Sequence, residues 1–327
     1  MEALFLGVDI GGTKCAVLAG NQRAEVLERV EIPTNHEESC DENIEKLITI
    51  SRKLIQKYRE KGSFEAVGIS CGGPLDEEKG MIQSPPNLPG WDHVLICRKF
   101  EEALEIPTFL QNDANACAVA EWKFGAGAGC QNVVFLTFGT GLGAGLILNG
   151  RLYSGTNGMA GEVGHIRLTE DGPVGYGKAG SFEGYCSGGG IADLCRYLVE
   201  KRNPEMQEVT LGKKTYPLDQ VTAKIIFQAA PTDPFAAEIV ECCGRHLGKG
   251  LAVLVDILNP EKIILGSIFV RGETLLRDSM EKYLRKEALP QARSACRIVP
   301  AALGERLGDV AALSVGIYRS GIWKEEV

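Results

Sequence analysis

Nothing in this sequence is built to cross or enter a membrane. The first residues, Met1 to Val8, are too short an apolar stretch to export or anchor a chain, and no later run approaches the roughly 20 apolar residues a bilayer span needs. Cys-x-x-Cys spacing is absent too. The eleven cysteines are odd in number and scattered singly apart from Cys242-Cys243, which argues against a disulfide framework and suits a reducing, cytoplasmic compartment. Lys and Arg form no cluster, and with a formal net charge of -8 and a pI near 5.3 no attraction to a nucleic-acid backbone is expected. No G-x-x-x-x-G-K-[ST] string occurs, so the chain has no Walker A loop.

What is present is an ordinary globular composition, 44% apolar and 24% charged, over 327 residues. That length suits two domains folded against each other, with a cleft between them. Leu4 to Ile10 reads as a buried strand that turns at Gly11-Gly12-Thr13 and resumes at Cys15 to Ala19. Glu42 to Lys61 carries apolar residues at the spacing of one helix face, and a strand follows at Ala66 to Ser70. The segment Cys71 to Trp91, with Gly72-Gly73-Pro74 and Pro85 to Gly90, reads as a long shaped loop of the kind that touches ligand. A strand at Thr108 to Leu110 then leads into a helix from Ala114 to Phe124, which sets Asn112 and Asp113 at a helix N-terminus. The pattern restarts with strand Val133 to Phe138, glycine loop Gly139 to Gly145 and strand Leu146 to Leu148. Pro234 to Leu258 reads as a long helix, Lys262 to Leu265 as a strand and Leu307 to Ser320 as a final helix. The reading is therefore two related α/β halves.

Both glycine loops have the chemistry of phosphate cradles. In Asp9-Ile10-Gly11-Gly12-Thr13-Lys14 the paired glycines let backbone amides approach phosphate oxygens, Thr13 adds a donor, and Asp9 can hold Mg2+ through water. The plain alternative is a hairpin turn. In Gly139-Thr140-Gly141-Leu142-Gly143-Ala144-Gly145 glycine recurs at alternate positions, a spacing that wastes packing in a strand and so points beyond the fold. A dinucleotide loop would open a helix, whereas this one runs into a strand. For Asn112-Asp113 spacing alone favours simple helix capping.

Five segments in order, Asp9 to Lys14, Asn87 to Trp91, Asn112 to Ala116, Gly139 to Gly145 and Gly161-Glu162-Val163-Gly164-His165, closely resemble the ROK family of bacterial sugar kinases and repressors. The likeness runs nearly end to end. It implies an actin-like ATPase (ribonuclease H-like) α/β fold of two domains around a central cleft, with residues 1–115 plus 303–327 as the smaller and 116–302 as the larger. It also implies an ATP- and Mg2+-dependent kinase acting on a hexose or N-acetylhexosamine, at the 6-hydroxyl by resemblance, and a homodimer. By the same resemblance Asp113 is the base and Asn112, Glu162, His165 and Glu183 contact the sugar, with Gly73, Asn87 and Gly90 completing the pocket and Trp91 packing beside it. Asp9, Gly11, Gly12, Thr13, Lys14, Gly139, Thr140, Gly141, Gly143 and Gly266 are the implied nucleotide contacts.

Two features bear on alternatives and exceptions. Family repressors carry a helix-turn-helix module ahead of the first loop, and only eight residues precede Asp9 here, so a DNA reader is not expected. An actin-like or Hsp70-like ATPase without sugar would lack the set Asn112, Asp113, Glu162, His165 and Glu183. Many family members also hold zinc with the G-H histidine and three cysteines, whereas Val174 to Glu183 keeps the glycines and glutamate but no thiol. Cys186 alone does not restore the set, and packing from Tyr176 and Phe182 is expected to orient His165 in the metal's place. Since structural zinc needs about four N or S ligands, elemental analysis of the purified protein should find none in stoichiometric amount; one zinc per chain would overturn this.

Overall fold

The structure is a computed structural model describing residues 2–322; Met1 and residues 323–327, the last part of the expected 303–327 segment, lie outside the described residues. The strand Glu2–Ile10 occupies the middle of a five-stranded sheet, and Leu4, Phe5, Leu6 and Val8 are wholly inaccessible, as a strand covered on both faces requires. Antiparallel partners follow on one side, Lys14–Asn21 and then Val26–Pro33. Parallel partners follow on the other, Gly62–Cys71 and then Thr108–Asn112. Parallel pairing needs crossover connections, and the helices Cys40–Tyr58 and Ile96–Leu104 supply them. The first of these is closed by a Ser39/Glu42 capping box.

A second five-stranded sheet repeats this plan. Its order is Arg151–Leu152, Ala144–Leu148, Val133–Leu136, Lys262–Leu265 and Arg297–Pro300. The senses also match, with antiparallel pairing on one side of Val133–Leu136 and parallel pairing on the other. This duplicated ribonuclease H-like arrangement is the actin-like ATPase fold.

Two helices tie the halves together, and missing side chains let them do so. The final helix, Leu307–Arg319, lies on the first sheet, where a β-carbon on Gly68 would sit 2.3 Å from the Ala312 carbonyl oxygen. The helix Asp113–Phe124 continues directly from the edge strand Thr108–Asn112 and packs on the second sheet. There a β-carbon on Gly145 would meet the Ala118 methyl at 2.4 Å and the Ala114 carbonyl oxygen at 2.5 Å. Gly145, the last of the alternate glycines, therefore has a packing reason to lack a side chain. Near its far end Glu121 is completely buried, and its carboxylate accepts backbone N–H groups from Ala126 at 2.8 Å, Ala302 at 3.2 Å and Leu303 at 2.9 Å. Those amides belong to the two chain segments that pass between the halves.

Several elements lie beyond the sequence reading. The strand Val26–Pro33 and the helices Gly188–Arg202 and Ile268–Glu287 lie outside the elements expected from the sequence, and the second of these opens on three glycines, which disfavour a helix. The Cys71 to Trp91 segment is not wholly irregular, because Leu75–Asp76 pairs with Met81–Ile82 and Ile82 bridges to Val94. The second glycine loop starts and ends two residues earlier than expected, since the preceding strand ends at Leu136 and Ala144 and Gly145 already belong to the next strand.

Replacing Glu121 with Ala removes the acceptor of three amides, of which that of Leu303 is buried and that of Ala126 half-buried. We expect the unfolding free energy to fall by about 3 kcal/mol in denaturant titration, with Glu121→Gln losing less. A change under about 1 kcal/mol would show that these contacts do not hold the crossing together.

Candidate active site

Asp113 is the first residue of the helix Asp113–Phe124, with Asn112 as its cap. The Ala114 N–H is shared by Asn112 Oδ1 at 3.0 Å and Asp113 Oδ1 at 2.8 Å. Capping thus occupies one carboxylate oxygen, and Oδ2 has no hydrogen-bond partner among the described residues. Although Asp113 is exposed, protein surrounds it closely enough that desolvation raises its pKa, with the Ala114 N–H partly opposing this. A carboxylate both open to solvent and crowded by protein stands on the floor of a cleft.

Asp9 shares that floor. Its pKa is raised from an ordinary 3.8 to about 6, first by burial and then by the negative charges of Asp113 and Asp309, while Arg29 and Lys14 pull the other way. The thiols of Cys71 and Cys117 lie close enough that, after burial, the Asp113 charge is the next largest influence raising them. They are uncharged lining.

A continuous series of contacts joins the two glycine loops around these acids. A β-carbon on Gly12 would lie 2.5 Å from the Asn87 carbonyl oxygen, and one on Gly72 would lie 3.7 Å from Asn87 Nδ2. Gly73 stands against Asn112, its hypothetical β-carbon 3.3 Å from Nδ2. A β-carbon on Gly143 would lie 3.7 Å from the Ala114 methyl, and one on Gly141 3.0 Å from Glu183 Oε2. Glu183 accepts the Leu142 N–H at 2.9 Å, so this acid holds the second loop directly. The carbonyls of Gly139 and Thr140 accept N–H groups of Gly188 and Gly189, at 2.7 Å and 3.5 Å.

Glu162 and His165 flank a short helical turn at Val163–His165, and both side chains are exposed. The Glu162 carboxyl is raised by desolvation, then by the charges of Glu183 and Asp113, against the pull of His165. The set Asn112, Asp113, Glu162, His165 and Glu183 is therefore gathered in one region. The Tyr176 ring stands edge-on to His165, centroids 6.3 Å apart at 79°, and Lys178 Nζ donates to the His165 carbonyl at 2.8 Å. Phe182 does not share this duty, because its ring is fully buried against Gly250 of the helix Pro234–Leu258. Cys186 turns inward, its thiol 3.6 Å from the Cys243 carbonyl oxygen.

Other expected residues stand less centrally. Lys14 makes an exposed 2.9 Å ion pair with Glu31, and Thr13 is exposed at the tip of its turn. Gly90 is exposed with a φ of 84°, a conformation that favours glycine whatever it touches. Gly266 has a protein reason to lack a side chain, since a β-carbon would meet the Thr137 carbonyl oxygen at 2.9 Å and the Phe135 ring at 3.0 Å. The next residue, Ser267, adopts a φ of 42° beside Gly139.

Sequence reasoning missed Asp309. Its carboxylate accepts from Arg29 Nε at 2.9 Å and bears on Asp9, and the neighbouring Gly308 leaves Asp9 Oδ2 3.5 Å from where a β-carbon would be. The Gly308-Asp309 pair at the head of the last helix was the available sign, and helix capping concealed it. Among the described residues no three His, Cys, Asp or Glu side chains stand close enough to hold a metal ion directly. A cation at Asp9 would therefore be held through water and phosphate oxygens, which suits Mg2+.

The model of the ROK family matches residues 5–315. This chain belongs to the ROK family. It is 32% identical over 316 residues to a glucokinase of Halalkalibacterium halodurans, covering 94% of this chain and 92% of that one. It is 28% identical over 313 residues to the transcriptional dual regulator NagC of Escherichia coli, covering 92% of this chain and 72% of the regulator. A ROK family glucokinase from Streptomyces griseus, solved in complex with glucose and AMPPNP, superposes with a TM-score of 0.73 at 31% identity, covering 97% and 100% of the two chains. Enzymes and regulators thus share this fold.

The raised Asp9 carboxyl has a stability consequence. Because the folded state binds this proton more tightly than the unfolded chain, its favourable contribution is complete below pH 3.8 and is lost as pH rises through about 6. Asp9→Asn removes the cost of the charge, so it should raise the melting temperature at pH 8 and bring little gain at pH 4. Equal shifts at the two pH values would contradict the burial of this charge.

Proposed function

We propose that this ROK protein is an ATP-dependent sugar kinase acting on a hexose such as glucose or on an N-acetylhexosamine, at the 6-hydroxyl, with Asp113 as general base. One observation carries the reading: an exposed carboxylate with a free oxygen stands at a helix N-terminus, ringed by Asn112, Glu162, Glu183 and His165. Carboxylates and an imidazole suit the several hydroxyls of a sugar because each accepts a strong hydrogen bond. Desolvation raises the Asp113 carboxyl above the ordinary aspartate range, which makes it a better proton acceptor than a fully hydrated aspartate.

In this reading Gly73, Asn87 and Gly90 complete the sugar pocket. The two glycine loops hold ATP, with Gly11, Gly12, Thr13 and Lys14 on one side and Gly139, Thr140, Gly141, Gly143 and Gly266 on the other. Mg2+ would be held at Asp9 through water and would neutralise phosphate charge. Asp113 Oδ2 accepts the hydroxyl proton as the sugar oxygen bonds to the γ-phosphorus and the bond to the bridging β,γ oxygen breaks, releasing ADP. The base orients the hydroxyl, and the enclosing lobes exclude competing water. We take residues 1–115 with 303–327 as the smaller lobe and 116–302 as the larger, and the working unit as a cytoplasmic homodimer that needs neither nucleic acid nor membrane.

The likeness to NagC supports a second reading, a sugar-responsive regulator that binds without turnover. A coupled ADP-release assay over glucose, fructose, mannose, N-acetylglucosamine and N-acetylmannosamine separates the two. We expect turnover with at least one of them, and a fall of about 100-fold or more in kcat for Asp113→Asn, with sugar affinity largely kept. Normal turnover by the variant would remove Asp113 from its role. Sugar binding without ADP release by the wild type would favour the regulator.

A further inference from the structure

A cavity of about 430 Å³ lies outside the cleft, walled by the helices Phe182–Cys186, Gly188–Arg202, Pro234–Leu258 and Ile268–Glu287. That is the size of a small-ligand pocket. Its lining combines three tyrosines, Tyr185, Tyr197 and Tyr283, with Arg245, His246 and Lys249. His246 stacks face to face on Tyr185, centroids 3.6 Å apart and planes within 5°. Its Nδ1 lies 2.8 Å from the Cys242 carbonyl oxygen, which can only accept, so Nδ1 carries the proton. Burial lowers the pKa of this imidazole to about 4 against the pull of that carbonyl, with the charges of Arg245 and Lys249 lowering it further. The ring is neutral, and Nε2 offers a bare lone pair. Since Asn115 Oδ1 is the only side-chain polar atom sealed without a partner among the described residues, Nε2 opens onto the cavity.

Among the described residues the cations beside it have no carboxylate partner, although Arg245 also hydrogen-bonds Tyr283. Arg245 Nη2 reaches the Cys242 thiol at 3.2 Å, and neither Arg245 nor Lys249 has a carboxylate within ion-pair distance among the described residues. The nearby acid Asp171 is taken up by Lys201 at 2.8 Å and the Tyr197 hydroxyl at 2.9 Å. Two half-buried cations, a lone acceptor and aromatic walls define a complementary ligand: an anionic group, a hydroxyl donor and a compact ring or chain with apolar faces.

We infer that this cavity is a second ligand site, binding a small phosphate ester of a polyhydroxy compound with its phosphate between Arg245 and Lys249 and a hydroxyl donating to His246 Nε2. The site has a path to the cleft. Tyr185 lies two residues from Glu183 on the same five-residue helix, and Glu183 holds the Leu142 N–H of the second glycine loop. A ligand pressing on Tyr185 acts on that carboxylate. The effect on turnover rests on the kinase reading, under which a sugar phosphate is the product; the binding itself does not.

Isothermal titration of the intact protein with glucose 6-phosphate tests the site. We expect binding that weakens about tenfold or more in Arg245→Met and in Lys249→Met, and that persists when excess glucose is present. No binding to the wild type, or equal affinity in a Lys249→Met variant whose circular dichroism is unchanged, would overturn the inference. Inorganic phosphate binding as tightly as the ester would overturn the ester assignment. Displacement of the bound ester by glucose would place the ligand in the cleft instead.

Discussion

The arrangement of this protein depends on how closely one helix can approach one strand. Asp113–Phe124 starts at the edge of the first sheet and lies down on the second, and it can do so only because Gly145 has no side chain to meet Ala114 and Ala118. Close approach of small residues is steric permission rather than attraction; burial of the surrounding apolar surface supplies the free energy. The same contact sets the N-terminus of the helix beside Gly143, so Asp113 and the second glycine loop share one corner of the cleft. Glu121 anchors the other end of the helix through three amides on the segments that pass between the halves. A crossing pinned at both ends gives the floor of the cleft a defined position whatever the outer loops do.

On that floor, charge of one sign accumulates. Asp9 feels the charges of Asp113 and Asp309, and Glu162 those of Glu183 and Asp113, with the thiols of Cys71 and Cys117 close by. Such crowding destabilises the folded state at neutral pH, and it persists where a polyanion with its counter-cation or a hydroxyl-rich ligand is to be met. The cations nearest to it, Arg29 and Lys14, are engaged at the rim with Asp309 and Glu31. The acids therefore remain available to ligand.

His165 illustrates how a local departure is absorbed. The stretch from Val174 to Glu183 retains its turn, closed by the pairing of Val174–Gly175 with Lys178–Ala179, and lifts Tyr176 against the imidazole edge. The backbone of the histidine is held separately by Lys178. Phe182, although adjacent in sequence, serves the core of the larger half, where Gly250 makes room for its ring. Neighbours in sequence here serve different layers.

Periodicity and glycine placement were enough to read the central strands, the long helix Pro234–Leu258 and the restart at Val133, because strands covered on both faces and helices with one apolar face carry patterns that only burial explains. The position of Asn112 and Asp113 at a helix start was equally legible, since chain direction and capping chemistry are local. The identity of strand Val26–Pro33 was not, because its residues alternate only weakly between half-buried and exposed at a sheet edge. Nor was the role of Asp309, which is nearly 200 residues from Asp113 and meets Asp9 only after the final helix returns to the first sheet. The alternate glycines of the second loop had two possible meanings in the sequence, ligand approach or packing, and the neighbours that made packing a requirement at Gly145 came from a helix before it in the chain. What the chain alone determined was the set of elements and the chemistry each carried; which carboxylates would share one low-dielectric floor was decided by the folding of two distant halves onto a common crossing helix.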